Sequence, residues 1–270
     1  MKLGVRAHDY GRRTIENMAK TLSAEGFQAA QLVLPKAFTE INSYAEINEF
    51  HLETISKVFS EYKMDVPVFG CYMDLGNPDA DVRKNAIANF RKCLGYAKRS
   101  GAKTVGTETA CAVLSREQKK IWYPYMLDSI QRVMEEAQKI DMQVAIEPVQ
   151  CHPLENLDVT MEIIHMVDDS KHLRLIFDPV NVLKNPLEVD QKQYWSEWMD
   201  IAGDYIDVLH MKDIALTENG SQLSVPLGDG LMQYEVIGQW LKKQTREIYL
   251  ICEGLEPSNA KKDLEYMTQL

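Results

Sequence analysis

The sequence contains few cysteines, and none of them is spaced for a zinc ribbon or a disulfide framework. Its five cysteines are widely separated and form no CxxC pair, which favours reduced thiols. No apolar run approaches the roughly 20 residues that a membrane-spanning helix needs. The opening KLGVRAHDYG also lacks the extended apolar stretch of a secretion signal. We therefore expect a cytoplasmic protein that neither crosses nor binds a membrane.

Positive charge is in deficit as well. The chain has 30 basic and 40 acidic residues and a formal net charge of -10, which argues against nucleic acid as a partner. Its lone GDG at Gly228 to Gly230 lacks the spacing of a phosphate-binding loop, so a flexible loop is the expectation there. A hydrophobic fraction of 45% is typical of folded globular proteins. These features leave a folded protein that acts on a small molecule as the main expectation.

Eight short apolar runs alternate with amphipathic segments along the whole chain. This rhythm predicts repeated βαβ units and a parallel sheet, and eight of them predict an α/β fold of the TIM-barrel type, (β/α)8, with residues 1–270 as a single domain. The runs are KLGVRA, QAAQLVL, DVPVFGCY, TVGTET, QVAIEPV, LRLIFDPV, YIDVLHM and YLICEGL. Helices are predicted over about 14–25, 44–62, 81–100, 117–139, 157–167, 191–203, 234–243 and 259–270, with Asp81 as a cap.

Four of these runs end in a side chain of the kind that binds metals: Glu147, Asp178, His210 and Glu253. Strand ends of this type meet at one mouth of a parallel barrel, so the four side chains are expected to converge. Three carboxylates and one imidazole suit a divalent cation, with Mn favoured and Mg, Co or Zn as alternatives. Together with the cation they leave about one negative charge. Each residue alone would also suit the polar end of a strand.

The same four residues carry a family resemblance. The strings AIEPV, FDPVN, LHMKD and CEG resemble the sugar phosphate isomerase/epimerase superfamily of xylose isomerase-like TIM barrels. PLGDG at Pro226 to Gly230 resembles that superfamily's loop before the seventh helix. The resemblance implies that the quartet binds a divalent metal and that Glu147 and Glu253 are the paired acid/base groups of an epimerase. It also implies homo-oligomerisation.

Other residues near strand ends are candidates for substrate binding: His8, Glu108, His152, Asn181 and Lys212. Each also has a structural alternative, such as a hydrogen-bonded core histidine, an ion pair of Glu108 with Lys103, or an ion pair of Lys212 with Asp213 or another acid of the mouth. Three positions depart from the epimerase pattern. Pro153, Asn181 and Leu216 stand where the family's epimerases often have a glutamate, a histidine and an arginine. Substrate recognition is therefore expected to differ.

The leading hypothesis from sequence is a metal-dependent isomerase or epimerase that moves a proton next to the carbonyl of a sugar or related polyol. A lyase that dehydrates a cyclic polyol ketone shares the first step and is the close alternative. A metal-dependent hydrolase or endonuclease is disfavoured, because such sites use several metals and many histidines. A ligand-binding barrel without catalysis is the remaining alternative.

Overall fold

The computed structural model describes residues 1–270 and contains an eight-stranded parallel sheet surrounded by helices. Its strands are β1 (Lys2–Arg6), β2 (Ala29–Gln31), β3 (Val68–Gly70), β4 (Thr104–Thr107), β5 (Gln143–Ile146), β6 (Leu173–Phe177), β7 (Ile206–Met211) and β10 (Tyr249–Cys252). Two further strands, β8 (Asp213–Leu216) and β9 (Gln222–Val225), lie outside this sheet. The sheet order is β2-β1-β10-β7-β6-β5-β4-β3. Strands β2 and β3 meet through the bridge between Leu32 and Phe69, so the sheet forms a nearly closed barrel. The predicted TIM barrel is confirmed.

Nine α-helices pack outside the barrel or in its loops. They are α1 (Ile15–Glu25), α2 (Leu34–Ala37), α3 (Glu49–Glu61), α4 (Ala80–Ser100), α5 (Arg116–Ile140), α6 (Leu157–Val167), α7 (Gln191–Ala202), α8 (Glu235–Leu241) and α9 (Ala260–Gln269). The expectation that Asp81 caps its helix is wrong: Asp79 accepts hydrogen bonds from the backbone N–H groups of Asp81 and Val82, and the helix begins at Ala80. None of the helices is both long and apolar enough to cross a bilayer.

Glycine, alanine and larger apolar residues together fill the inside of the barrel. A methyl group on Gly4 would lie 2.7 Å from the Ala29 carbonyl oxygen, and one on Gly106 would lie 2.4 Å from Val68 Cγ1. Both glycines therefore let neighbouring side chains close the interior. They adjoin a buried cluster made of Ala29, Val68, Ala145, Ile176, Val208, Tyr249 and Ile251. A larger cluster of 68 residues fills the space around the strands and beneath the helices.

An antiparallel hairpin follows β7, and the sequence analysis did not predict it. Its strands are β8 (Asp213–Leu216) and β9 (Gln222–Val225). The turn spans residues 217–221, and Gly220 within it has a φ of 79°, the left-handed conformation that glycine supplies in hairpin loops longer than two residues. This hairpin leads into the loop at Pro226 to Gly230.

The buried carboxylate of Asp213 organises that loop. Its two oxygens accept hydrogen bonds of 3.0 Å from the backbone N–H groups of Gly228, Gly230 and Met232. These donors are consequently used within the protein and do not form a phosphate cradle. The alternative in which Lys212 pairs with Asp213 is not seen, since Lys212 contacts other acids.

Candidate metal site at the barrel mouth

The polar residues of the mouth form one inward-facing row. Side chains alternate between the two faces of a strand, so residues two positions apart point to the same side. The interior layer consists of one inward-facing residue from each strand: Gly4, Ala29, Val68, Gly106, Ala145, Ile176, Val208 and Ile251. The residues two positions after this layer also point into the barrel, nearer the carboxyl ends of the strands. Applied to the eight strands, this spacing gives Arg6, Gln31, Gly70, Glu108, Glu147, Asp178, His210 and Glu253. Seven of the eight are polar or charged. Polar side chains therefore converge at the mouth of the barrel, whereas the layer beneath them is apolar.

The four predicted ligands come together within this row. One ligand atom from each of Glu147, Asp178, His210 and Glu253 lies within 4.8 Å of the others. His210 Nδ1 is 3.5 Å from Glu147 Oε1, 3.7 Å from Asp178 Oδ2 and 2.9 Å from Glu253 Oε2. Their strands are consecutive neighbours in the sheet, in the order β10-β7-β6-β5. The two glutamates therefore flank the aspartate and the histidine.

Gln31 orients the imidazole ring of His210. The His210 Nε2 atom lies 2.8 Å from Gln31 Oε1, and both side chains are fully buried. An amide oxygen can only accept, so Nε2 carries a hydrogen and Nδ1 is the ring atom that faces the three carboxylates. Nδ1 is buried and makes no well-aligned hydrogen bond, although Glu253 Oε2 lies 2.9 Å away. Burial lowers the pKa of His210, but the Glu147 and Glu253 carboxylates outweigh burial and raise it well above its usual range, so positive charge is favoured at this position. A divalent cation bound to Nδ1 would supply that charge in place of a proton, so these residues fit a metal.

Asn181 and Lys212 join the ligands to one another. The Asn181 amide donates to Glu147 Oε1 at 2.7 Å and accepts from Lys212 Nζ at 2.9 Å. Lys212 Nζ also lies 2.7 Å from Asp178 Oδ2 and 3.0 Å from Glu253 Oε1. Burial lowers the pKa of Lys212, but the adjacent Asp178 and Glu253 carboxylates outweigh burial and raise it, so the amine stays charged.

Arg6 is a second cation at the site, and the sequence analysis missed it. Its guanidinium lies 3.2 Å from Glu253 Oε1 and 2.8 Å from Asp9 Oδ1. The other Asp9 oxygen accepts hydrogen bonds of 2.8 and 3.2 Å from the backbone N–H groups of Gly254 and Leu255. This Arg6–Asp9 clamp thus fixes both the carboxylate and the backbone of the turn that follows it.

The two cations change the charge balance expected from sequence. Burial alone would raise the pKa of Glu253, but His210, Lys212 and then Arg6 lower it well below its usual range, so this carboxylate is ionised. Three ligand carboxylates and Asp9, together with Lys212, Arg6 and a divalent cation, would carry no net formal charge. The balance expected from sequence, which included neither these two cations nor Asp9, was about one negative charge.

The remaining predicted residues, His8, Glu108 and His152, form no hydrogen bond or ion pair with the four ligands. Glu108 Oε2 lies 3.3 Å from His152 Nδ1, while Lys103, its expected partner, pairs with Asp65 and Glu247 instead. Burial raises the pKa of Glu108 to about 8, with Glu147 and Glu253 adding to the effect. Burial lowers the pKa values of His8 and His152 to about 4, so both are neutral at pH 7. Neither histidine contacts the four ligands.

A cavity of about 360 Å³ borders Glu108, one of the inward-facing residues of the mouth, and none of the four predicted ligands lines it. Tyr72, Tyr44, Lys36 and Cys111 are among the other residues of its wall. The amide of Gln31 donates a hydrogen bond of 2.7 Å to the Tyr72 hydroxyl oxygen, which connects the cavity wall to His210. The cavity is large enough for a small polyol.

Sequence reasoning missed Arg6, Gln31 and Tyr72, although a signal for them is present. Arg6 and Gln31 end the first and second strands and stand two positions beyond Gly4 and Ala29 of the interior layer. On the third strand that position is Gly70, and the next inward position is Tyr72. The period of two, counted from the small residues, identifies all three.

Comparisons with known proteins agree with the fold. The profile of the xylose isomerase-like TIM barrel family matches residues 19–270. Among curated proteins, none matches this sequence.

A 3-keto-D-glucoside 4-epimerase from E. coli has a TM-score of 0.74 at 15% identity, with 100% of both chains covered. A probable 3-DHS dehydratase from Bacillus anthracis has a TM-score of 0.73 at 15% identity, with 99% of both chains covered. A xylose isomerase-like TIM barrel protein from Mycobacterium smegmatis, in complex with magnesium, has a TM-score of 0.73 at 16% identity, with 99% of this chain and 95% of the other covered. Such identities establish the fold, and the profile establishes the family. The chain therefore belongs to the xylose isomerase-like TIM barrel family.

Proposed function

We propose that this protein is a divalent-metal-dependent isomerase or epimerase that acts on a sugar or related polyol. The observation that carries the proposal is the quartet, in which three carboxylates converge on His210 Nδ1 and one ligand atom from each residue lies within 4.8 Å of the others. We further propose that Mn is its preferred ion, that it acts in the cytoplasm and that it forms homo-oligomers. Magnesium in one structure of the same fold supports a divalent ion in general.

The proposed reaction is a proton transfer next to a carbonyl. A divalent cation held by Glu147, Asp178, His210 and Glu253 would supply the Lewis acidity that acidifies the neighbouring C–H bond. One glutamate takes the proton from the carbon, which leaves an enediolate, and the other returns a proton to the opposite face or to the adjacent carbon. Glu147 and Glu253 suit these roles because they occupy the outer strands of the four, β5 and β10, on either side of the other two ligands.

Lys212 and Arg6 support the same chemistry through charge. Both contact Glu253 Oε1, at 3.0 and 3.2 Å, and both add positive charge where the enediolate forms. An anion that develops during the reaction is stabilised by cations already fixed in a water-poor site. The Arg6–Asp9 clamp holds one of them in place, so little reorganisation is required.

A lyase reaction is the second candidate, and one residue favours it. Glu108 lines the same cavity, and its pKa of about 8, raised mainly by burial, leaves much of this carboxyl protonated at pH 7. A protonated acid at that position suits the departure of a hydroxyl group from the carbon beside the enediolate, with water as the product. The dehydratase of the same fold supports this alternative. The quartet contains a single histidine, which disfavours the multi-metal hydrolases.

The experiment combines metal exchange with isotope uptake. The purified protein is stripped with chelator, reloaded with Mn, Mg, Co or Zn, and incubated in D2O with ketoses, inososes and their phosphates. We expect deuterium uptake at the carbon next to a carbonyl, lost on chelation and in Glu147→Gln and Glu253→Gln. Glu256→Gln, an exposed neighbour of the last ligand, is the matched control.

Product mass separates the two candidates, because a lyase product is lighter by one water. Turnover that is indifferent to chelation would refute the metal mechanism. Near-wild-type turnover in both glutamine variants would refute the acid/base assignment.

A further inference from the structure

The hydroxyl group of Tyr72 has a hydrogen that the protein does not use. Tyr72 lies beyond strand β3, is partly buried and lines the cavity that also borders Glu108. Its oxygen accepts a hydrogen bond of 2.7 Å from the Gln31 amide nitrogen. No protein group accepts a hydrogen bond from the hydroxyl in return. Because the phenol borders open space, its O–H is available to a ligand in the cavity.

His210 determines the direction of this hydrogen, because Gln31 forms hydrogen bonds with both His210 and Tyr72. If His210 Nδ1 binds a cation, Nε2 must carry the hydrogen and donate it to Gln31 Oε1, 2.8 Å away. The Gln31 amide nitrogen then has to face Tyr72, and since NH2 can only donate, the phenol oxygen can only accept from it. The hydrogen of the phenol is thereby left to point away from Gln31. All three groups have one consistent arrangement of donors and acceptors.

Tyr44 lines the same cavity but has no free hydroxyl hydrogen. Its hydroxyl donates a hydrogen bond of 2.8 Å to the Gly70 carbonyl oxygen, so its hydrogen is already used. Both tyrosines line the same cavity, but only Tyr72 offers a donor. The pair gives a natural comparison within one pocket.

We infer that Tyr72 is a further catalytic residue, which donates a hydrogen bond to an oxygen of an α-hydroxycarbonyl substrate as that oxygen gains negative charge. The inference rests on the proposed proton-transfer function, since that reaction is what creates the charged oxygen. The substrate class follows: a compound with adjacent carbonyl and hydroxyl oxygens, one directed to the quartet and one to Tyr72. A neutral donor fixed in a buried network stabilises such an anion without adding a charge to the free site.

The test uses Mn²⁺ and glycolohydroxamate, a small mimic of an enediolate, as the probes. Mn²⁺ affinity is measured by electron paramagnetic resonance, and hydroxamate affinity is measured by calorimetry on the Mn-saturated protein. For Tyr72→Phe we expect hydroxamate binding about 10- to 100-fold weaker, the usual effect of losing one hydrogen bond to a charged group. Mn²⁺ affinity should change by less than about threefold, because the metal ligands and Gln31 are intact. Tyr44→Phe should leave both affinities unchanged.

The outcomes separate this inference from the proposed function. Equal hydroxamate affinity in wild-type protein and Tyr72→Phe, with Mn²⁺ bound in both, would overturn the role of Tyr72 and leave the metal site in place. A loss of Mn²⁺ affinity with unchanged hydroxamate binding at saturation would show that Tyr72 only positions Gln31, which also overturns it. Wild-type protein that binds no Mn²⁺, or binds hydroxamate equally well without it, would overturn the proposed function itself. Thermal unfolding of each variant confirms that it is folded before either affinity is measured.

Discussion

The positive charge of Lys212 is expected to offset part of the negative charge of the ligand carboxylates when no metal is bound. Its amine lies 2.7 Å from Asp178 Oδ2 and 3.0 Å from Glu253 Oε1, and only 12% of its side chain is exposed. Lys212→Met keeps most of the side-chain volume and removes the charge. Without a metal, the variant leaves buried carboxylates facing one another with less compensation. With a metal bound, the cation supplies that compensation.

The size of the effect can be worked from the contacts. At an effective dielectric constant of about 20, each of the two contacts is worth about 6 kcal/mol of gross Coulomb attraction. Most of this offsets the desolvation of the charges, and removal of one partner from a buried pair costs about 3–5 kcal/mol net. In a chain of this size each kcal/mol lowers Tm by about 2–4 °C. Metal-free Lys212→Met is therefore expected to melt about 6–20 °C below metal-free wild-type protein.

The assay is thermal unfolding with and without saturating Mn²⁺, after chelator treatment. The gain in Tm on Mn²⁺ addition should be larger for Lys212→Met than for wild-type protein, because in wild-type protein the amine competes with the cation for the same oxygens. Lys261→Met is the control. The side chain of Lys261 is 90% exposed, and its ion pair with Glu265 is long, at 3.9 Å. An equal deficit in Tm with and without Mn²⁺ would refute the reasoning, because it would show that the lysine and the metal do not share a role.

Three further predictions follow from other parts of the molecule. Gln31→Leu should weaken Mn²⁺ binding about 10- to 100-fold, because the metal-binding imidazole loses the acceptor that fixes its tautomer; calorimetry with unchanged affinity would contradict this. Gly4→Ala should lower the free energy of unfolding by about 1–3 kcal/mol, because the added methyl group would lie 2.7 Å from a backbone carbonyl oxygen of strand β2; urea unfolding measures it. Burial alone would raise the pKa of Asp169, but hydrogen bonds led by that from His172 outweigh it and lower the pKa to about 2. Asp169→Asn should therefore cost stability above about pH 4, by up to about 1 kcal/mol after solvent screening, and the difference from wild-type protein should shrink as the pH falls toward 2; a difference that is constant with pH would argue against the assignment.

Much of the barrel could be predicted because its strands and helices follow simple periods. The helix expected over residues 157–167 is α6 (Leu157–Val167), and the one expected over 191–203 is α7 (Gln191–Ala202). The quartet could be predicted for a related reason: each ligand ends an apolar run, and the topology of a parallel barrel directs all such ends to one mouth. Local sequence and global topology agree at these positions.

The parts that the sequence analysis missed depend on contacts between distant strands. The period of two places Gln31 at the barrel mouth, but only its pairing with His210, 179 positions away, gives it a role. Arg6 and Glu253 likewise meet only because β1 pairs with β10. Lys212 was expected to contact substrate or an acid, but its partners, Asp178 and Glu253, depend on side-chain geometry within the mouth. Sequence order carries no direct record of such contacts.

The Arg6–Asp9 clamp has a consequence for how the site forms during folding. Asp9 holds the backbone N–H of Gly254 across 245 positions, so the last ligand is fixed only when the first and last strands have met. A contact of that separation carries a large loop-closure cost and forms late. Metal affinity should then appear in refolding experiments at the rate of the final phase, after most helical signal has returned. Metal binding would therefore indicate that the barrel has closed. A half-length fragment of the chain is expected not to bind the metal.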